Sequence, residues 1–421
     1  MKVLHLSTYD EHGGAARAAY RQHRALLGAG IDSRMCVRFK RGNDEEIDVF
    51  AADRGLPSRL RRACFRAYLR LWHRTANRKA FGNGGRGLLT DPRADLLRRP
   101  APPLTRSDVI NIHKIEGFAD LGALLRSLPK AAPIVVTLHD LGFLTGGCDY
   151  AGDCERFEQS CGRCPLIFSR RACDASAAIY RMKRAAYRQR QADRLVFVAN
   201  SRWTLQQAQR SSLLRDHPCV TIHYGLDTQV YNPRRRRIAR QALGLPVDDP
   251  VLLFAAHDVS YPRKGAAFLL EALQGPGISE GTVLVTFGAG NVALSGRRHF
   301  HFGTVNDERL QALIYQAADV FVMPSLEEAF GLTALEAVAC GTVVAGFAVG
   351  GIPDVVQNGL NGMLVRPADA SELRAAIVGL LENHRLREQW IEQAEPWVQE
   401  RFSYAVNAAH YVELYRQLAG K

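Results

Sequence analysis

Apolar positions in this chain gather into short, β-rich runs, and each run gives way to a stretch with helical spacing. Lys2 to Ser7, Asp108 to His113, Pro133 to Leu138, Leu195 to Ala199 and Cys219 to His223 read as strands of a first half. Leu252 to Ala256, Thr282 to Phe287, Val320 to Met323 and Thr342 to Val349 read as strands of a second. Apolar runs of this kind mark strands buried on both faces, as in parallel sheets covered by helices. The intervening segments supply the helices: Gly13-Gly14 opens one, Ser201 caps another, one begins near Ala267, and Ala334 to Ala339 forms a further one that Gly341 stops. The pattern predicts two successive α/β halves, followed by helices that carry Tyr411, Leu414 and Tyr415.

At 421 residues the chain has room for two full cores. An apolar share of 47% and a charged share of 23% are ordinary for a globular protein, whereas the net charge of +13 is not. Nearly all of it sits between Arg54 and Arg106, where fourteen Lys or Arg stand against Asp91 and Asp95. Within this stretch Arg62, Arg66, Arg70, Arg74 and Arg78 recur every four residues, while Phe65, Tyr68, Leu69 and Trp72 cluster on another face. Residues 58–80 thus predict a basic amphipathic helix suited to an anionic membrane surface, with a solvated helix packed on its own domain as the plain alternative. No nucleic-acid-binding motif accompanies the charge, so no nucleic acid is expected as a partner. No run of eighteen apolar residues occurs, and Met1 leads into a strand without a signal peptide. The expectation is a cytoplasmic protein that reaches the inner face of the cell membrane only peripherally. Nine cysteines, an odd number, argue against a disulfide framework.

Candidate chemistry lies where strands end, because ligands of open α/β sheets sit beyond the carboxyl ends of strands and near helix N-termini. Glu328 falls in the loop after Val320 to Met323, and Glu336 just inside the following helix; both can accept hydrogen bonds from sugar or ribose hydroxyls, or simply favour a helix start. Arg263 and Lys264 precede a helix of the second half and suit phosphate oxygens. His139 ends a strand of the first half and is the stronger functional candidate beside His113, while Gly13 and Gly14 permit close backbone approach to an anion. Cys148, Cys154, Cys161 and Cys164 lie within seventeen residues. A closed tetrahedral zinc site of structural kind suits four thiolates, with a disulfide pair or free thiols as the open alternatives.

Glu328-Ala-Phe330-Gly331, Glu336 eight positions on, Cys340-Gly341 and Gly350-Gly351-Ile-Pro-Asp together resemble the Glu-x7-Glu signature of retaining, group 1 (family four) glycosyltransferases of the exopolysaccharide-biosynthesis type. The resemblance implies a GT-B fold: two Rossmann-like domains facing across a cleft, with a C-terminal helix crossing back to the first. It places an acceptor-binding domain at 1–228, with the basic insert 54–106 and the cysteine-rich loop 146–165, then a linker at 229–249, a nucleotide-sugar domain at 250–400 and the returning helix at 401–421. The run Arg234 to Arg237 reads as part of a solvated linker.

The implied activity is transfer of a sugar from a nucleotide-diphosphate sugar to a glycan or polyprenyl-linked acceptor hydroxyl, in exopolysaccharide or lipopolysaccharide assembly, with no cofactor required for catalysis. By resemblance, His139, Glu328 and Lys264 serve the reaction centre, and Gly13, Gly14, Arg263, Lys264, Glu328, Phe330, Gly331, Leu332 and Glu336 hold the donor. Two positions depart from the family pattern: Tyr224 replaces the usual Asn, and Val259 stands where many members carry an arginine. The competing readings are a membrane-associated glycan-binding or scaffold protein with a degenerate site, and a nucleotide-sugar epimerase.

Overall fold

The computed structural model describes residues 1–50, 63–64, 67, 71, 89–91, 104, 106–234, 236–292 and 296–420. The basic helix anticipated at 58–80 therefore falls largely outside the described residues, Arg62, Arg66, Arg70, Arg74 and Arg78 included. Two compact units are present, one built from Met1–Gly225 with Asn407–Lys421 and the other from Leu226–Val406.

The first unit is a seven-stranded parallel sheet of β1 (Lys2–Tyr9), β2 (Asp32–Phe39), β3 (Ile47–Val49), β4 (Val109–Ile112), β5 (Ile134–Leu138), β6 (Leu195–Ala199) and β7 (Cys219–Thr221), in the order β3-β2-β1-β4-β5-β6-β7. β4, β5 and β6 are buried throughout, which accounts for their unbroken apolar runs. Helices α1 (Gly14–Gly28), α2 (Leu121–Ser127), α3 (Ala175–Tyr187) and α4 (Arg202–Arg210) connect them. Three of these carry side-chain N-caps, Asp120 accepting from the Ala123 amide, Asp174 from Ala177 and Ser201 from Thr204. Strands β2 and β3 went unread in the sequence, because charged residues such as Arg34 and Asp48 break their apolar runs.

The second unit is a six-stranded parallel sheet of β8 (Val251–Asp258), β9 (Val283–Ala289), β10 (His299–His301), β11 (Val320–Met323), β12 (Val343–Phe347) and β13 (Gly362–Val365), ordered β10-β9-β8-β11-β12-β13. Its helices are α5 (Arg236–Ala242), α6 (Ala266–Gln274), α7 (Glu308–Ala317), α8 (Leu332–Ala339), α9 (Ile352–Val355), α10 (Ala370–Glu382) and α11 (His384–Phe402). In both sheets the strand order reverses once, at β1/β4 and at β8/β11, and the crevice at such a switch point is where doubly wound sheets take ligands. The last helix, α12 (Tyr404–Ala419), belongs from Asn407 onward to the first unit. There the Tyr415 hydroxyl accepts from Gln22 and Asn111 at 2.9 and 2.7 Å, and the Tyr411 hydroxyl lies 3.3 Å from that of Thr137.

The solvated linker read at Arg234 to Arg237 is corrected by this fold at Arg236, while Arg234 and Arg237 are exposed. Arg236 opens α5 and lies 3.3 Å from Asp319, and Arg240, one turn on, is buried with its guanidinium 2.6 Å from the same carboxylate. Arg387 of α11 adds a third cation at 3.7 Å, and the Val251 amide donates to Asp319 at 2.8 Å. Two arginines of α5 and one of α11 thus converge on one carboxylate at the amino end of β11. The substitution Asp319→Asn, which removes the charge but keeps the shape, should lower stability by about 2 kcal/mol in chemical unfolding of the full chain.

Candidate active site

In the second unit, three loops at the carboxyl end of the sheet are fitted to one another through their backbones. The turn Pro262–Lys264 after β8 runs into Gly265, whose φ of +75° and missing side chain let it sit against the Pro324 carbonyl; a Cβ there would lie 1.8 Å from that oxygen. The Leu326 amide donates to the Arg263 carbonyl at 2.8 Å, and the Arg263 guanidinium donates to the Glu327 carbonyl. On the other side Gly350, at φ +54°, presses on the Glu328 carbonyl, which accepts from the Gly351 amide at 2.9 Å. The Lys-Gly and Gly-Gly pairs are therefore what allow the loops after β8 and β12 to close on the loop that carries Glu328.

The result is a compact charged site at the switch point. The Lys264 ammonium donates to Glu328 Oε2 at 2.6 Å, and Arg263 lies 3.7 Å from the same oxygen, with all three side chains less than a fifth exposed. Burial would raise the Glu328 carboxyl, but the charges of Lys264 and Arg263 outweigh it and hold the group below the usual carboxylate range. Burial also pulls the Lys264 ammonium below its ordinary value, with Glu328 opposing. Val259 is wholly buried, so Arg263 is the arginine that stands at this site.

Glu336 occupies the second turn of α8, whose first residue follows Gly331 at φ +100°. It is 2% exposed and accepts from the Tyr315 hydroxyl at 2.9 Å. Tyr315 was not singled out in the sequence; its position one turn before the end of α7 is that of an ordinary core aromatic. Phe330 is buried edge-on to Phe402, 6.1 Å between ring centres, and Leu332 is half-buried at the start of α8.

The first unit places its own candidates in strand order along the carboxyl end of its sheet. His5 on β1 and His113 after β4 share a hydrogen bond of 2.9 Å, His113 and His139 after β5 share another of 2.9 Å, and His139 Nδ1 lies 2.6 Å from the Tyr224 hydroxyl beyond β7. Asn200, after β6, donates to that hydroxyl at 2.8 Å. Ring centres are 5.2, 5.2 and 5.5 Å apart along the series; the two His–His steps match the spacing of the neighbouring strands β1, β4 and β5, whereas Tyr224 reaches His139 past β6. Both nitrogens of His139 are thereby engaged, which fixes its ring. Burial, assisted by Lys114, drives the His139 ring down to about 3, and burial likewise depresses His5 and His113. All three are neutral at physiological pH.

Beside the ladder, the Lys114 ammonium pairs with Asp140 and, at 3.0 Å, with Asp149. Burial and the neighbouring Asp140 push the Asp149 carboxyl up to about 7, against the pull of Lys114. Neither Lys114 nor Asp149 was legible as a site residue, since 35 positions separate them. Gly13 and Gly14 open α1 with Gly13 at φ +83° and no side-chain cap. Cys148, Cys154, Cys161 and Cys164 line one pocket together with Leu89 and Phe157. Among the described residues, no three His, Cys, Asp or Glu side chains are gathered closely enough to hold a metal ion, and no helix is long and apolar enough to cross a membrane.

Comparison with known proteins bears on the second unit first. Residues 235–397 match the family model described as glycosyl transferases group 1. The D-inositol 3-phosphate glycosyltransferase of Mycobacterium avium (strain 104) is 37% identical over 174 residues, which make up 38% of this chain and 40% of that protein. The match spans less than half the length of such curated relatives. Among solved structures, sucrose-phosphate synthase from Thermosynechococcus elongatus is similar with a TM-score of 0.66 at 20% identity, covering 100% of each chain. Anabaena Alr3699/HepE in complex with UDP and glucose is similar with a TM-score of 0.62 at 18% identity, over 98% of this chain and 99% of that one. Residues 235–397 are thus similar to the glycosyl transferases group 1, and the chain has the GT-B fold of two parallel-sheet α/β domains.

Proposed function

We propose that the protein is a retaining glycosyltransferase that moves a sugar from a nucleotide-diphosphate sugar to a hydroxyl of a glycan or lipid-linked acceptor, in exopolysaccharide or lipopolysaccharide assembly. The observation that carries this reading is the Lys264–Glu328 pair, 2.6 Å apart, flanked by Arg263 at the switch point of the second sheet. Two cations there suit the diphosphate of a donor, and they neutralise the charge that develops on it as the glycosidic bond breaks. Glu328 then accepts from donor hydroxyls, Glu336 from the ribose, and His139 touches donor or acceptor as a neutral imidazole. In the transfer step the acceptor oxygen forms a bond to the anomeric carbon on the face that the diphosphate leaves. The acceptor proton passes to a departing phosphate oxygen. Retention follows without an enzymic nucleophile, and the basic segment at 58–80 would hold the enzyme near a lipid-linked acceptor.

The reading is tested by screening nucleotide sugars, beginning with UDP-glucose, for thermal stabilisation of the full chain. A cognate donor at a hundredfold excess over its Kd should add about 2.7 kcal/mol. Absence of stabilisation by every nucleotide sugar and nucleoside diphosphate in the panel would count against it.

A further inference from the structure

The cysteine loop of the first unit plays no part in the proposed transfer, yet its four thiols face one pocket. All four are free cysteines, on a segment that folds back on itself between β5 and α3. The turn Cys161-Gly162-Arg163-Cys164 depends on unusual backbone geometry: Gly162 has φ +135° and sits where a Cβ would lie 2.2 Å from the Ala172 carbonyl, and Arg163 is left-handed at φ +47°. That bend brings two cysteines of a Cys-x2-Cys pair to the same side, as a chelating knuckle requires.

The surroundings of the sulfurs are more telling. The Gly146 amide donates to Cys161 Sγ at 3.1 Å, and the Thr145 hydroxyl donates to the Cys148 carbonyl at 2.9 Å, which ties the start of the loop to its first cysteine. An amide fixed on a cysteine sulfur is a contact that a metal-bound thiolate accepts well. Gly146 is itself needed for this arrangement, since a Cβ there would lie 2.6 Å from Cys161 Cβ and 2.9 Å from its sulfur. The buried Lys183 side chain donates to the Gly142 and Thr145 carbonyls beside the loop; burial lowers it from its ordinary value, with the charges of Cys148 and Cys161 among those that oppose this. Four thiolates around a divalent ion leave a doubly negative centre, and a buried cation is the partner such a centre needs.

We propose that Cys148, Cys154, Cys161 and Cys164 form a closed, structural zinc site. Binding draws the sulfurs from their places around the pocket to about 2.3 Å from one ion in tetrahedral array. Four protein ligands leave no open position, so the ion acts through structure. Cys148 directly precedes Asp149, and the metal therefore braces the segment that holds Asp149 at 3.0 Å from Lys114. The site stands independently of the transfer reading.

The test is metal analysis of the full chain purified under thiol reductant, followed by exchange of the metal for Co²⁺. The expected results are one zinc per chain, its release when a mercurial blocks the thiols, and sulfur-to-cobalt charge-transfer bands with tetrahedral ligand-field bands on substitution. The variants C161S and C164S should bind zinc at least tenfold more weakly, and C219S should keep the full complement. The wild-type cobalt spectrum holds the test open should either loop variant fail to fold. Iron in place of zinc, no metal after reconstitution, full zinc in C164S, or disulfides joining these four cysteines in freshly lysed cells would each overturn the proposal.

Discussion

Lowering the pH from 7 to 5 should cost the first unit at least about 2 kcal/mol of stability and its melting temperature at least about 4–8 °C. The cause is a set of buried histidines that the fold keeps neutral. His5, His113 and His139 form the ladder, and His23, whose Nδ1 lies 2.8 Å from the Ser33 hydroxyl, is buried in the same unit. Burial takes His23 down to about 4, with Asp44 and Glu46 opposing and Arg24 and Arg34 assisting, and takes His139 down to about 3 beside Lys114. In each case the folded-state value lies below the unfolded one, so the unfolded chain binds more protons. The contribution is fully present above about 6.5 and is lost as the pH falls towards the folded values. Over this interval His23 and His139 each lose about 2 kcal/mol, and His5 and His113 add to the loss in the same direction.

Asp149 acts in the opposite sense, because a carboxyl held at about 7 gains protons more readily folded than unfolded; it returns about 2 kcal/mol. His257, His299, His301 and His384 of the second unit are half-buried or exposed, so its transition should move less. Calorimetric melts at intervals between pH 5 and 8 check this. A first-unit transition that does not move across that range would show that the ladder accepts protons at no cost, contrary to its burial.

The second large effect concerns Lys264. Lys264→Ala removes the cation nearest Glu328 and leaves Arg263 at 3.7 Å as its remaining partner among those identified. Transfer should fall by about 10²–10³-fold in kcat/KM, the magnitude typical of losing one preorganised charged donor to a transition state. The split between constants is informative. Because Lys264 meets phosphate in both ground and transition states, its loss should raise KM and lower kcat together. Glu328→Gln should leave affinity for a bare nucleoside diphosphate within about tenfold while lowering kcat, since Glu328 is assigned to the sugar rather than the leaving group. Equal losses of nucleoside diphosphate affinity in the two variants would mean that Glu328 acts only by holding Lys264.

What the sequence made legible was local. β5, β6 and β11 announced themselves as unbroken apolar runs, and Glu328, Glu336, Lys264 and His139 stood at strand ends or helix starts where a ligand is expected. What it concealed came from parallel pairing, which joins residues far apart in the chain without any local period. His5 and His113 are 108 positions apart and meet across neighbouring strands, while His139 and Tyr224 are 85 apart and meet past β6. The same holds for Asp319, whose arginines come from α5 and α11, so a cluster of cations that looked solvated is partly built into the second unit. Edge strands such as β3 and β13 were missed because only part of each is buried.

The most direct test of the central claim is release of nucleoside diphosphate from a nucleotide sugar, UDP-glucose first, measured for wild type beside Lys264→Ala with both proteins shown to be folded. The wild type should release it, and the variant should be slower by about 10²-fold or more. A variant as fast as wild type would contradict the assignment of the Lys264–Glu328 site as the seat of donor binding and transfer.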